Sequence, residues 1–262
     1  MMLPLPDLRI PVRAAEVGNW QRFLNDAGIP DYQNSPLKED EHYGSRTASA
    51  TRRYQVDRGI SPSGVVDPLT RKRAVVDGFI PFVQAKYADI FYPAKELAQV
   101  PRLIVLHTME NQEKPYAAEN VALWFAGRAK DPAPLASAHY NVDEDSIVQS
   151  VRETDRAWHA GPVNGFSIGI EHAGYAKQTA VDWFDAPSQA ILWRSARLAS
   201  RLCRRYNIPI QRASEESIAN RTAKGFCGHV DVSKAFKHKG GHWDPGPNFP
   251  YDHYLELVHN AP

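Results

Sequence analysis

Gly228–Pro247 reads GHVDVSKAFKHKGGHWDPGP, and it sets His229, His242 and Asp244 within one short, loop-rich segment that closes in an Asp-Pro-Gly turn. Neutral imidazoles and carboxylates are the nitrogen and oxygen donors that zinc accepts, and a catalytic zinc takes three protein ligands while keeping a fourth position for water. A further donor is expected from another part of the chain. His107 fits best, because it closes the apolar run Leu103-Ile104-Val105-Leu106, and a buried strand ending in a polar side chain is a rigid place to build a site. Any one of the ten histidines, taken alone, is an ordinary core or surface residue; only the combination points to a metal.

A strand ending Leu106-His107-Thr108, the later GHVDVS of Gly228–Ser233 and the closing DPGPNFP of Asp244–Pro250 resemble the zinc-dependent N-acetylmuramoyl-L-alanine amidases of the type 2 amidase and peptidoglycan-recognition-protein superfamily. The resemblance runs from about Arg102 to about His259. It implies a single Zn²⁺ ion as cofactor, with His107, His229 and Asp244 as its ligands. The implied reaction is hydrolysis of the amide between N-acetylmuramic acid and the L-alanine of the stem peptide. Glu171, delivered by the strand expected over Ser167–Ile170 within SIGIE, is then the general base and afterwards the acid.

Many members of that family carry a lysine two residues before the ligating carboxylate, and here His242 takes its place as a donor to the tetrahedral intermediate. The alternative is that His242 ligates the ion and Asp244 orients it. Trp158 and His159 of AWHAG, with Asn164 close behind, are expected to line the groove for sugar or peptide.

The N-terminal third has a different texture. Val17–Gly28 places Trp20, Phe23 and Leu24 at helical spacing; a polar loop then leads to a second helix with Thr47, Ala50, Thr51 and Tyr54 on one face before Gly59. A third helix follows Asp67-Pro68 and reaches about Gly78. The order WQRFLNDAG, YGSRTASATRRYQVDRGI, SGVVDPLTRKRA resembles the peptidoglycan-binding domain type 1, which implies peptidoglycan as a partner. Residues 12–80 are therefore expected to form this small domain, 81–101 a packed, aromatic-rich connector, and 102–262 the catalytic domain.

Within the last of these, Ala117–Phe125 reads as a helix with Val121, Trp124 and Phe125 inward, and residues around the acidic turn Asp143–Asp145 read as a hairpin. Ser188–Tyr206 is a long amphipathic helix with a serine cap and a basic outer face. Strands interleaved with helices give the class α/β, a mixed central sheet flanked by helices and preceded by the three-helix domain. Cys203 falls on the apolar face of the long helix, and Cys227 fits a structural strand position better than a ligand's.

Composition bounds the rest. At 43% hydrophobic residues the chain builds real cores, and 31 basic against 30 acidic residues give nothing that favours a polyanion such as nucleic acid. No run approaches a signal peptide or a membrane span, so the expectation is synthesis in the cytoplasm and delivery to the wall by other means. That combination resembles a phage endolysin released by a holin, or an antibacterial effector carried by a secretion machine and accompanied by an immunity protein. Two rival readings are a peptidoglycan-recognition module that binds without cutting and a cytoplasmic amidase that recycles soluble muropeptides. The complete ligand set with Glu171 speaks against the first, and the wall-binding resemblance against the second, since tethering helps only on a polymer.

Overall fold

β1 (Val12–Arg13) and β2 (His42–Tyr43) pair antiparallel beside three helices, α1 (Ala15–Asp26), α2 (Ser45–Asp57) and α3 (Pro68–Val76). Each helix stops where its sequence says it should: Gly28, Gly59 and Gly78 follow the three ends with positive φ. Asp67 caps α3 by accepting from Thr70 N, with Pro68 in the first turn. The spacing of Trp20, Phe23 and Tyr54 brings their rings together with Phe79, at centroid distances of 5.1 to 5.7 Å. Polar interior positions are satisfied by design of the same kind: Trp20 Nε1 donates to Thr51 Oγ1, and Gln55 Nε2 to Val65 O and Thr70 Oγ1.

The computed structural model describes residues 5–89, 100–129, 132, 135–237 and 241–262, and the chain divides into two compact units, Met1–Phe82 and Val83–Pro262. The connector expected over residues 81–101 falls partly on residues 90–99, outside the described residues. Its first part belongs to the second unit, where Val83 N donates to Gln149 O and β3 (Ala88–Asp89) pairs with β7 (Arg156–Ala157).

The second unit is built on a five-stranded mixed sheet of β4 (Leu103–Thr108), β5 (Tyr140–Val142), β6 (Ile147–Gln149), β8 (Ser167–His172) and β9 (Gly225–Gly228). Their spatial order is β6-β5-β8-β4-β9, with only the β5–β6 hairpin antiparallel. Parallel strands are covered on both faces, which is why LIVLHT is apolar along its length instead of alternating. On one face Leu103, Val105 and Cys227 pack with Val163, Ile218 and Val232, beneath α6 (Glu215–Ala219) and α7 (His229–Ala235). On the other lie α5 (Ala186–Tyr206) and α8 (Tyr251–Asn260), whose Ser195 and Tyr254 reach His172. The remaining helix, α4 (Ala117–Phe125), packs at β5 and β6.

Three local expectations are corrected. Asp185, not a serine, caps α5, because its carboxylate accepts from Ser188 N and the helix begins two residues earlier. Gly228–Ala235 is strand end and helix, not loop: the Asp231 carboxylate accepts from Gly228 N and starts α7 at His229. Trp124 is 38% exposed and not inward, its indole N–H donating to Pro132 O.

Candidate metal centre

The sheet register assembles the site before any loop is considered. In the parallel pair β4–β8, His107 stands opposite Glu171, and in β4–β9 Leu106 stands opposite Gly228, so the next residue, His229, falls level with His107. Side chains alternate across a strand, so His107 and Glu171 share the face of Leu103 and Val105. They emerge at the carboxyl ends of parallel strands, where open α/β sheets leave a crevice for ligands.

Asp244 is brought to this edge by the turn after residue 241. Asp244 O accepts from Val230 N, Gly246 N donates to Trp243 O, and Asn248 Nδ2 donates to Gln178 O. Gly246 has a φ of +91°, and a Cβ there would lie 1.8 Å from Ala176 O. Gly246→Ala is therefore expected to cost about 1–3 kcal/mol in urea unfolding, through backbone strain and displacement of the turn that carries Asp244. An unchanged unfolding midpoint would show that the close approach does not hold the turn.

One ligand atom from each of His107, His229 and Asp244 lies within 4.8 Å of the others, and all three residues are buried. His107 Nδ1 is 3.0 Å from Asp244 Oδ2 and His229 Nδ1 is 3.5 Å from Oδ1. Burial pushes the His107 imidazole below its usual range, so it stays neutral. Burial alone would push Asp244 up, but the hydrogen bonds it accepts from His107 and His229 outweigh it and hold the carboxyl well below the usual range. A neutral imidazole beside an ionised carboxylate is the protonation state a divalent cation needs, so the donor set fits zinc in type, number and charge.

His242 lies outside this cluster. Its side chain is 68% exposed, with Nδ1 3.6 Å from Asp244 Oδ1, and its ring stacks on His229 at 3.9 Å and 12°. The half-buried Glu171 lines the same cleft, and desolvation, with the charges of Asp244 and Glu110, lifts its carboxyl well above the usual range. A carboxyl raised in this way within a cleft is a candidate proton carrier.

Of the three residues expected to contact substrate, Trp158 lines the cleft together with His159 and a neighbouring cavity together with Asn164. Trp158 presents a partly exposed ring to the cleft, a cavity of about 340 Å³. Asn164 is occupied with its own loop, its Oδ1 accepting from His159 N and Ala160 N. His159 sits behind His107, buried, with its ring over Gly169. Sequence reasoning missed Trp243 and Glu110, which also line the cleft. Trp243 was visible between His242 and Asp244, whereas Glu110 gave no periodic signal because it lies beyond β4 at a φ of +53°. It missed His172 as well: Nδ1–H donates to His107 O at 2.9 Å and Nε2 lies 2.6 Å from Ser195 Oγ, so this neutral ring, its pKa pushed down to about 4 by burial, ties the end of β4 to α5. Cys227 is a buried strand residue whose thiol burial pushes far up, away from ligand chemistry.

The family model of N-acetylmuramoyl-L-alanine amidases matches residues 97–247, and that of a peptidoglycan binding domain matches residues 13–73. N-acetylmuramoyl-L-alanine amidase A of Achromobacter lyticus is 31% identical over 168 residues, covering 60% of this chain and 83% of that protein. A solved selenomethionine derivative of AmpD is 26% identical, with a TM-score of 0.46, and covers 68% of this chain and 94% of its own. The hydrolase AmiA of Staphylococcus aureus, solved with its ligand, is 18% identical with a TM-score of 0.46, covering 71% and 87%.

Proposed function

Since the chain belongs to the N-acetylmuramoyl-L-alanine amidase family, we propose that it hydrolyses the amide between N-acetylmuramic acid and the L-alanine of peptidoglycan stem peptides, with one zinc ion as cofactor. The observation that carries this reading is the convergence of His107, His229 and Asp244 at the strand ends, in register with Glu171. Zinc supplies a Lewis acid that polarises the scissile carbonyl and acidifies water.

This chain's own groups do the rest. Glu171, with its raised carboxyl pKa, takes the proton of the attacking water and passes it to the departing L-alanine nitrogen. His242, exposed at the rim, donates an N–H to the developing oxyanion. Trp158 offers an apolar face to the sugar or peptide. Residues 13–73 hold the chain on the polymer and raise the local substrate concentration. No helix among the described residues is long and apolar enough to cross a membrane.

The test is digestion of purified sacculi by the zinc-loaded chain, with a chelated sample alongside and products identified by mass. Free stem peptides beginning at L-alanine, absent after chelation and restored by zinc, are the expected result. Retention on sacculi without release under any metal condition would leave a recognition protein in place of an enzyme.

A further inference from the structure

Behind His107, on the side away from Asp244, runs a line of hydrogen bonds that reaches into the core. His107 Nε2 lies 3.1 Å from His159 Nδ1, His159 Nε2 lies 3.1 Å from Ser167 Oγ, and Ser167 Oγ donates to Val163 O at 2.8 Å. The two rings meet edge to face, 5.2 Å apart at 83°. The backbone makes room for this arrangement. A Cβ on Gly169 would stand 2.7 Å from His159 Cγ, so β8 carries a glycine where the ring crosses it. His139, whose ring meets that of His159 edge to face at 5.7 Å, holds the same glycine, its Nδ1 accepting from Gly169 N at 3.0 Å while Nε2–H donates to Asp155 O.

With a cation in place of a proton between His107 Nδ1 and Asp244, the line would read in one direction: His107 Nε2–H donates to His159 Nδ1, His159 Nε2–H to Ser167 Oγ, and Ser167 Oγ to Val163 O. Without the cation, His107 Nδ1 faces the Asp244 carboxylate at 3.0 Å and carries the proton itself; the cation would take that proton's place.

We propose that His159 is a positioning residue which, through Ser167 and over Gly169, fixes the tautomer and orientation of His107 so that Nδ1 is its metal-binding atom. The proposal rests on the zinc reading of the site and moves His159 from the substrate groove to the support of a ligand. It adds an element to the usual second layer of a zinc site. A ligating histidine ordinarily gives its other N–H to a carboxylate or a carbonyl, which strengthens the donor; a neutral imidazole gives direction with less added basicity. It also explains why a histidine follows Trp158: the tryptophan faces the cleft while its neighbour turns inward.

The test is zinc affinity of the full chain, measured by competition with a chromophoric chelator at neutral pH, for the parent, His159→Leu, His159→Asn and Ser167→Ala. Asparagine places its Oδ1 where the imidazole has Nδ1 and keeps the acceptor; leucine fills the space without one. His159→Leu is expected to weaken zinc binding by about 10- to 100-fold, with His159→Asn close to the parent. Ser167→Ala, which leaves the ring and its packing in place, should fall between them. Thermal unfolding of the metal-free proteins separates lost packing from lost orientation. In the zinc-loaded parent, imidazole ¹⁵N shifts should report His107 protonated at Nε2.

Leucine and parent binding zinc equally well would overturn the proposal. So would asparagine losing as much affinity as leucine, because the ring would then only fill space. If His159→Leu does not fold, the comparison of parent, His159→Asn and Ser167→Ala decides: equal affinity in parent and Ser167→Ala, or loss in His159→Asn, overturns it. A parent chain that binds no zinc rejects the metal reading itself, and this proposal with it, a result distinct from any difference among variants.

Discussion

Glu171→Gln is expected to slow release of stem peptides from sacculi by roughly 10²- to 10⁴-fold while the chain still takes up zinc, because the substitution removes a proton carrier and not a ligand. The cleft stays the same size, so substrate retention should be unchanged and the loss should appear in kcat. The pH dependence gives a second handle. Desolvation first, then Asp244 and Glu110, raise this carboxyl from its ordinary 4.5, and a base works only when ionised. Activity should therefore rise with pH along an acidic limb that is missing from the residual activity of the variant, and a bound dication should draw that limb toward lower pH.

Stability moves the other way in the metal-free chain. An acid whose folded pKa is raised contributes stability that is complete below its unfolded value, near 4.5, and is lost as pH rises through the folded value. Glu171→Gln removes that loss, so the metal-free variant should melt higher than the parent at pH 8 and no lower at pH 4. A variant that hydrolyses sacculi at the parental rate would remove Glu171 from the reaction.

Asp244→Asn and His229→Ala are expected to abolish both zinc retention and hydrolysis. The Lewis acid is worth several kcal/mol at the transition state, on the order of 10³-fold or more in rate. Asp244→Asn is the more informative of the two. It keeps the shape of the turn but replaces the carboxylate that His107 Nδ1 and His229 Nδ1 approach at 3.0 and 3.5 Å. Loss of zinc with unfolding behaviour close to the metal-free parent would place the defect in the donor set. Adding zinc in excess should restore part of the activity of a weakened site and none to Glu171→Gln. His242→Ala, by contrast, should keep zinc, since that ring stands at the exposed rim and outside the three-donor cluster. Equal zinc affinity of Asp244→Asn and parent would show that the carboxylate is not a ligand.

The sequence by itself determined the pieces whose causes are local. The apolar run before His107 had to be a buried strand, glycines and an aspartate marked the ends of the three N-terminal helices, and the turn about Asp143–Asp145 joined two short strands. That His107, His229 and Asp244 belong together was legible as well, from the order of motifs that carries them, and the structure gathers them into one cluster that could hold a metal ion. Only the tertiary structure decided how they meet. His107, Glu171 and His229 are brought level by strand register, a long-range property that no window of sequence contains. The neighbours of His159 were not legible for the same reason: what a side chain on an irregular stretch packs against depends on what the neighbouring strand leaves open. Here β8 leaves open the space above Gly169. A glycine between Ile168 and Ile170 reads in sequence as a small strand residue; in space it is the seat of the ring that backs His107.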